Sequence, residues 1–228
     1  GNGFRLTGQK RFVVQGASAD VVVVAARAEE GLTLFTVEKE AVGLEVEGVR
    51  LADSSIGARM DFRGVEVDAD AVLGEVGGGE AVLERVLNAA RAGAASEMVG
   101  VGSGAMAMTV DYLKQRKQFG KLIGEFQVLQ HRSAHLYSEL EIARAAALKA
   151  QQMLDEGSPD AEAMVSVAKA KAGRVSTLAV QEGVQMHGGI GMTDEYDIGL
   201  YMKRDRVLNE LFGDPNYHAD KLARLKGY

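Results

Sequence analysis

The first third of the chain alternates hydrophobic and polar positions in the way that is typical of β-strands. Short alternating or β-branched runs lie between turns that contain Gly or Asp, and no long helical run interrupts them. These runs occupy residues 4–6, 12–14, 21–24, 32–37, 44–46 and 65–67. The pattern predicts an antiparallel sheet, sandwich or barrel, and it argues against a sheet in which strands and helices alternate.

The pattern changes after three consecutive glycines at residues 77–79. From Leu136 to Leu154 the apolar residues recur at alternating steps of four and three, which places one apolar stripe along a helix. Gly157 then stands where glycine commonly ends a helix. The second part of the chain is predicted to form long helices over residues 80–118, 125–156, 159–186 and 196–212, followed by a short tail helix.

Together the two patterns predict an α+β protein, with an antiparallel β domain followed by an antiparallel four-helix bundle. We place the β domain at residues 1–78 and the bundle domain at residues 79–228. The chain opens with Gly1 rather than Met, and its first residues, GNGFRLTG, already have the pattern of a turn and a strand. We therefore expect a fragment of a longer protein.

Composition excludes several classes of function. The 228 residues include 26 Lys and Arg against 32 Asp and Glu, a formal net charge of −6, which argues against general nucleic-acid binding. No apolar run approaches the roughly 18 residues of a membrane span. The chain has no cysteine, so disulfides, thiolate zinc sites, iron–sulfur clusters and cysteine nucleophiles are excluded. We expect neither a nucleic-acid nor a membrane partner.

Two motifs are better explained by helix packing than by a ligand. His131 and His135 lie one helical turn apart, but Arg132 occupies the place where a zinc protease motif needs Glu, and no third ligand is apparent. The GxGxG run at residues 100–104 lies inside a helical pattern, whereas a dinucleotide fingerprint lies between a strand and a helix. We predict no metal site.

Two other segments have a structural and a functional explanation. RKQFGK, at residues 116–121, places cations in the last turn of the first predicted helix, where they complement the helix dipole. An Arg beside an exposed aromatic ring can equally bind a pyrophosphate while the ring stacks on an adenine. QMHGGIG, at residues 185–191, either ends the third helix or leaves backbone bare for a phosphate or a flat ring. The residues alone leave both alternatives open.

In combination these segments resemble the acyl-CoA dehydrogenase family. The matching motifs are RKQFGKLIGEFQVLQH at residues 116–131, QMHGGIGMTDEY at 185–196 and KRD at 203–205. The β half agrees through GFRLTGQKRFVVQGASADVVVVAAR and DSSIGARMDFRGVEVDADAVLGEVGGG. The resemblance covers essentially the whole chain. It implies most of a middle β domain and all of a C-terminal four-helix bundle, with an N-terminal helical domain and the first β strands missing.

The resemblance implies FAD-dependent α,β-dehydrogenation of an acyl-CoA thioester. In the family a carboxylate removes the α proton while the β carbon passes hydride to FAD. The Arg and Phe that match Arg116 and Phe119 reach across a dimer interface to the pyrophosphate and adenine of the neighbouring subunit's FAD. The positions that match the family's FAD-contacting residues are Arg116, Phe119, Gln127, Gln185, Gly188 and Gly189, with Phe12 at the position of a flavin-flanking Trp.

The same resemblance predicts that the catalytic half of the site is missing. Gly213 matches the position of the family's usual base, and Pro215 that of a Thr that contacts FAD. Ala90 matches an alternative base position, and Val14 a hydroxyl contact to the flavin. We therefore assign no catalytic residue, and we predict the base-lacking partner subunit of a mixed oligomer.

Two other interpretations stay open. A register slip of one residue would make Asp214 the base of an active homomeric enzyme. The chain could also be a non-catalytic scaffold or acyl-CoA binding subunit. For each active form the resemblance implies an acyl-CoA substrate from fatty acid or steroid side-chain β-oxidation. It also implies a homo- or hetero-oligomer, commonly a tetramer, electron-transfer flavoprotein as acceptor and a cytoplasmic location.

Overall fold

The computed structural model describes residues 3–228, and this part of the chain divides into two compact units. The division falls between Leu87 and Asn88, inside a helix that begins at Gly79. The domain boundary predicted between residues 78 and 79 lies at the start of this helix, before the observed division. Each unit is described separately.

The first unit is built from five antiparallel strands in two sheets. The strands are β1 (Gly3–Val14), β2 (Val21–Ala28), β3 (Gly31–Glu38), β4 (Leu44–Arg50) and β5 (Ile56–Asp68). Strands β1, β5 and β4 form one sheet in that order, and β2 pairs with β3 in the other. The register of β2 and β3 is continuous from Val21 opposite Glu38 to Ala28 opposite Gly31.

The inward faces of both sheets form one hydrophobic core. The edge of the Phe4 ring on β1 packs against Phe35 on β3, with 5.1 Å between ring centroids. Because side chains alternate along a strand, one face of each sheet is apolar and its other face carries most of the charges. The prediction of an antiparallel sheet or sandwich is confirmed. The buried residues of this core are Leu6, Val24, Phe35, Val37, Ala58, Met60, Phe62 and Val65.

The second unit is a bundle of four long helices with a fifth, shorter one. A hairpin of two short strands, β6 (Lys117–Gln118) and β7 (Lys121–Leu122), separates the first helix from the second. A short 3-10 turn, Gly188–Met192, follows the third. The helices are α1 (Gly79–Leu113), α2 (Gln127–Asp155), α3 (Ala161–His187), α4 (Ile198–Glu210) and α5 (Pro215–Leu225).

Consecutive helices of the bundle run antiparallel, as predicted. Residues early in one helix contact residues late in the next, which is the up-and-down arrangement that short connections impose. The predicted apolar stripe of α2 is buried from Leu136 to Ala150. Side-chain bonds between helices include those that pair Ser96 with Gln151, Ser103 with Arg144, Arg132 with Glu182, Thr177 with Asn209, and Glu97 with Arg204.

Glycines inside α1 allow close helix packing, as the sequence indicates. A Cβ atom on Gly102 would lie 2.8 Å from Leu140 of α2, and one on Gly104 would lie 2.6 Å from the ring of Tyr201 on α4. Both approaches are shorter than a side chain tolerates. Packing of α1 against its neighbours therefore explains Gly102 and Gly104, whereas a Cβ atom on Gly100 would meet nothing within 4 Å.

The first helix ends earlier than predicted. Leu113 is its last residue, so the helix-dipole explanation of residues 116–121 is wrong. Phe119 and Gly120 have positive φ angles of 52° and 80°, which is the backbone of the tight turn that joins two hairpin strands. The backbone N–H of Ile123 donates to the carbonyl of Arg116 at 2.8 Å and closes the hairpin.

Candidate functional site

The hairpin after α1 presents an aromatic ring and basic side chains at the surface. Phe119 lies at the tip of the hairpin and is 91% exposed. The Phe126 ring meets it in a T-shaped arrangement, at 6.2 Å between centroids. Arg116 is exposed just before the first strand, and the Lys121 ammonium lies 4.2 Å from the centroid of the Phe126 ring. The Phe119 ring is thus free to stack on a flat ligand, with cations close by.

The end of α3 presents bare backbone. Gly188 ends the helix with a φ of 64°, a conformation that favours glycine. A Cβ atom on Gly188 or on Gly189 would meet nothing within 4 Å, and both residues are exposed. Gln185, one turn earlier, is exposed as well. A phosphate or ring can therefore approach this backbone closely.

An aromatic cluster holds the ends of α1 and α3 together. The His187 ring lies 4.5 Å from Tyr112 on α1 and 4.6 Å from Tyr196, measured between centroids. His187 is buried, which lowers its pKa, and its Nδ1 donates to the carbonyl of Gly183 at 2.6 Å. The sequence marks His187 only as part of a motif and does not single out Tyr112.

These contacts bring six of the seven predicted site residues to one end of the bundle. Gln127 begins α2 directly after the hairpin, and an ion pair of 2.6 Å between Arg132 and Glu182 joins α2 to α3 near that end. The role of these residues in binding a cofactor stays a prediction. The six residues are Arg116, Phe119, Gln127, Gln185, Gly188 and Gly189.

The seventh predicted residue, Phe12, belongs to the β unit and lies in a β-bulge. The register of β1 against β5 shifts between Lys10 and Val13. Phe12 has a φ of 54°, uncommon for a bulky residue, and is 66% exposed. Val14 is exposed on the same strand. Bulges redirect side chains and are frequent beside functional sites. A ligand-facing role for Phe12 stays a prediction.

The loop between α4 and α5 carries the position where the resemblance places the family's base. Phe212 and Gly213 have positive φ angles of 60° and 103°. A Cβ atom on Gly213 would lie 2.3 Å from Cδ1 and 2.8 Å from Cε1 of Tyr217. Position 213 therefore has no carboxylate and no space for one beside the Tyr217 ring.

Three buried basic side chains hold the carbonyls of this loop. Lys169 Nζ donates to Gly213 at 2.9 Å and to the end of α4, at the Leu208 carbonyl, at 3.0 Å. The Phe212 carbonyl accepts from Arg91 Nε at 3.3 Å and from His218 Nε2 at 3.0 Å. The loop is thus fixed by hydrogen bonds from α1, α3 and α5.

Burial shifts the pKa of two of these groups. The pKa of Lys169 falls to about 8, because desolvation outweighs the attraction of Asp214 and other nearby carboxylates. The pKa of His218 falls to about 4 for the same reason, since the hydrogen bond to Phe212 only partly opposes desolvation. The sequence does not single out either residue. The available signal is a lysine that lies between two alanines, Ala168 and Ala170, on α3.

The carboxylates near the loop have structural partners. Asp214 is the N-cap of α5, and its Oδ1 accepts from the backbone N–H of Tyr217 at 2.7 Å, with Pro215 opening the helix. Glu210 forms a surface ion pair of 3.1 Å with Arg206. Ala90, the alternative base position, lies on α1 and has no ionisable group.

Residues 3–228 contain neither a cluster of metal-binding side chains nor a membrane-spanning helix. No group of three or more His, Asp or Glu side chains in this part of the chain could hold a metal ion. No helix within it is long and apolar enough to cross a membrane. His131 and His135 are both exposed on α2.

Comparison with known proteins agrees with the geometry. Residues 77–226 match the family model described as acyl-CoA dehydrogenase, C-terminal domain. The chain is 30% identical to the short/branched chain specific acyl-CoA dehydrogenase, mitochondrial, of Bos taurus, over 98% of this chain and 54% of the relative. It thus spans about half the length of that relative.

Two solved structures are similar over nearly all of the chain. The butyryl-CoA dehydrogenase from Megasphaera elsdenii aligns with a TM-score of 0.93 and 28% identity, over 98% of this chain and 60% of that one. The ChsE4–ChsE5 complex from Mycobacterium tuberculosis contains a chain that aligns with a TM-score of 0.90 and 25% identity, over 100% of this chain and 61% of that one.

Proposed function

Since this chain belongs to the acyl-CoA dehydrogenase family, we propose that it acts in the FAD-dependent α,β-dehydrogenation of an acyl-CoA thioester as the subunit that lacks the base. Proteins of this family are FAD flavoproteins. A related subunit would supply the carboxylate that removes the α proton. This chain would contribute contacts to the nucleotide part of the cofactor.

The observation that carries the proposal is the loop at Gly213. The position has no side chain, and the Tyr217 ring stands 2.3 Å from where a Cβ atom would lie. Asp214, the nearest alternative base, is occupied as the N-cap of α5. Proton abstraction needs a carboxylate in reach of the substrate, and neither position offers a free one.

The residues at the hairpin end of the bundle fit the nucleotide part of FAD. The exposed Arg116 guanidinium would pair with the pyrophosphate, and the Phe119 ring would stack on the adenine. The bare backbone at Gly188 and Gly189 would let the cofactor approach without a steric clash. When bound, FAD accepts the hydride from the β carbon, and this chain's part is to position and neutralise the nucleotide.

The rest of the proposal concerns assembly and context. A related subunit would pair with this chain, commonly within a tetramer. The similar structure from M. tuberculosis is a complex of ChsE4 with ChsE5, which supports the pairing of this chain with a related subunit. We further propose a substrate from fatty acid or steroid side-chain β-oxidation, electron-transfer flavoprotein as acceptor and a cytoplasmic location.

The direct test is to purify the full-length protein alone and together with its partner subunit. We expect low flavin content and no acyl-CoA oxidation from the protein alone, and both from the mixed complex. Full flavin occupancy with rapid turnover by the protein alone would refute the base-lacking role. A mixed complex that holds no flavin would instead indicate a scaffold.

A single substitution separates this proposal from an active homomeric enzyme. Asn caps helices about as well as Asp, so Asp214→Asn keeps the start of α5 and removes the carboxylate. We expect turnover of the mixed complex to be unchanged. Loss of turnover with flavin retained would identify Asp214 as the base.

A further inference from the structure

The ring of Tyr217 occupies the space that a side chain at position 213 would need. A Cβ atom on Gly213 would lie 2.3 Å from Cδ1 of Tyr217, 2.8 Å from its Cε1 and 3.0 Å from His218 Nε2. Real Cβ contacts shorter than 3.0 Å are essentially never observed. Any residue larger than glycine at this position therefore requires the ring to move.

The Tyr217 ring is packed on one side, and the residue is 47% exposed. The backbone N–H of Tyr217 donates to the Asp214 carboxylate in the helix cap, at 2.7 Å. The ring packs edge-on against His218, with centroids 5.1 Å apart and an interplanar angle of 88°. The Arg91 guanidinium lies 6.0 Å from the ring centroid. His218 and Arg91 are themselves buried, so they limit the directions in which the ring can turn.

The backbone on the other side of the contact is also held. The Gly213 carbonyl accepts from Lys169, and the Phe212 carbonyl accepts from Arg91 and His218. Moving the loop away from the ring would break hydrogen bonds to buried donors, which is costly because no water replaces them. The loop therefore cannot make room, and the ring of Tyr217, which is 47% exposed, has to turn toward solvent instead.

We propose that Tyr217 is an occluding residue, whose ring any side chain at position 213 has to displace. A carboxylate can then occupy this position only when the ring is displaced or removed, so a single substitution that restores a base there carries the cost of displacing the ring. The functional consequence rests on the proposed function, because that proposal identifies position 213 as the base position. The steric statement itself does not depend on it.

The test is a double-mutant cycle on the folded protein, read as shifts of the urea midpoint. Gly213→Ala and Gly213→Glu are each made in the wild type and in a Tyr217→Ala background. We expect the midpoint loss caused by either substitution to shrink by about half or more when the ring is absent. Some loss remains, since the φ of 103° still disfavours a side chain.

Two controls separate the ring from other effects. Tyr217→Phe keeps the ring, so Gly213→Ala should lose as much in that background as in the wild type. Gly157→Ala changes another glycine with positive φ, 63°, where a Cβ atom would meet nothing within 4 Å. Its loss should be the same with and without Tyr217, because it reports backbone strain alone.

The outcomes are distinguishable from those of the proposed function. A Gly213 substitution that is no better tolerated in the Tyr217→Ala background overturns the occlusion, whatever the catalytic role of the chain. Turnover by the wild-type protein alone overturns the base-lacking role, whatever the outcome of the cycle. Rescue of an unfolded Gly213→Glu variant by Tyr217→Ala would be the clearest support for the occlusion.

Discussion

Two turns of the helical unit each contain a glycine in the left-handed region, but their surroundings are opposite. At Gly188, with φ 64°, a Cβ atom would meet nothing within 4 Å. At Gly213, with φ 103°, a Cβ atom would meet the ring of Tyr217 at 2.3 Å. The first turn leaves backbone open to a ligand, whereas the second is filled by its own chain. Glycine with a positive φ thus leaves the backbone open in one place, where we propose cofactor binding, and is closely packed in the other.

The largest expected effect on stability is that of adding a methyl group at Gly213, compared with the same change at Gly188. Gly213→Ala combines backbone strain with steric overlap between the new Cβ atom and the Tyr217 ring. It should lower the free energy of unfolding by about 3 kcal/mol or more. Gly188→Ala adds only strain and should lower it by about 1 kcal/mol. Urea unfolding of both variants measures the difference. Equal losses would break the comparison between a filled and an open turn.

Removing the lysine that holds the filled turn should have the next largest effect. Lys169→Ala leaves the carbonyls of Leu208 and Gly213 unpaired and opens a cavity, so we expect a loss of about 3 kcal/mol. Lys171→Ala is the matched control on the same helix. It removes a partly exposed ion pair with Glu139 and should lose under about 1 kcal/mol. Chemical denaturation compares the two, and similar losses would contradict the clamping role of Lys169.

The filled turn should also make stability depend on pH. The pKa of His218 is about 4 in the folded protein, against an ordinary value of 6.5. Between these values the unfolded chain binds a proton that the folded chain does not, so stability falls as the pH falls. The full loss is about 3 kcal/mol.

Urea midpoints at pH 7 and pH 4.5 would measure this dependence on His218. In His218→Gln the decline should be smaller than in the wild type, even though the variant starts from a lower stability. His131→Gln, at an exposed position, should keep the wild-type decline. An unchanged decline in His218→Gln would show that other groups cause the acid sensitivity.

Changing Phe119 at the tip of the exposed hairpin should have the smallest effect on stability and a selective effect on flavin binding. Phe119 is 91% exposed, so Phe119→Ala should change the free energy of unfolding by no more than about 0.5 kcal/mol. Flavin affinity of the mixed complex should fall roughly tenfold through loss of stacking. Tyr137→Ala, at another exposed aromatic residue of this unit, should leave flavin affinity unchanged. Equilibrium flavin titration distinguishes the variants.

Much of the fold could be predicted because it follows from local periodicity. The period of two before residue 74 reports strands with one buried face, and the spacing from Leu136 to Leu154 reports the buried stripe of α2. The end of α1 was missed, since residues 114–118 continue a helix-compatible composition. The positive φ at Phe119, which turns the chain into a hairpin, is unusual for an aromatic residue and leaves no signal in the pattern.

The candidate site was predictable only in part. The residues at the hairpin end are marked by their types and order, and the lack of a carboxylate at positions 213 and 90 is plain from the sequence. Tyr217, Lys169 and His218 were not singled out, because none lies in a recognisable motif. Their importance comes from what they touch in the folded chain.

Residue order alone therefore indicated most of the strands and helices, but not the hairpin after α1, and it decided which chemical groups the chain has and lacks. Packing decided that one glycine turn is open and the other closed, and that buried donors from three helices meet at one loop. The physical reason is the distance along the sequence over which each effect acts. Periodicity and backbone preference act over a few residues. The contact between Gly213 and Lys169 joins residues 44 positions apart, and only the assembled bundle brings them within 2.9 Å.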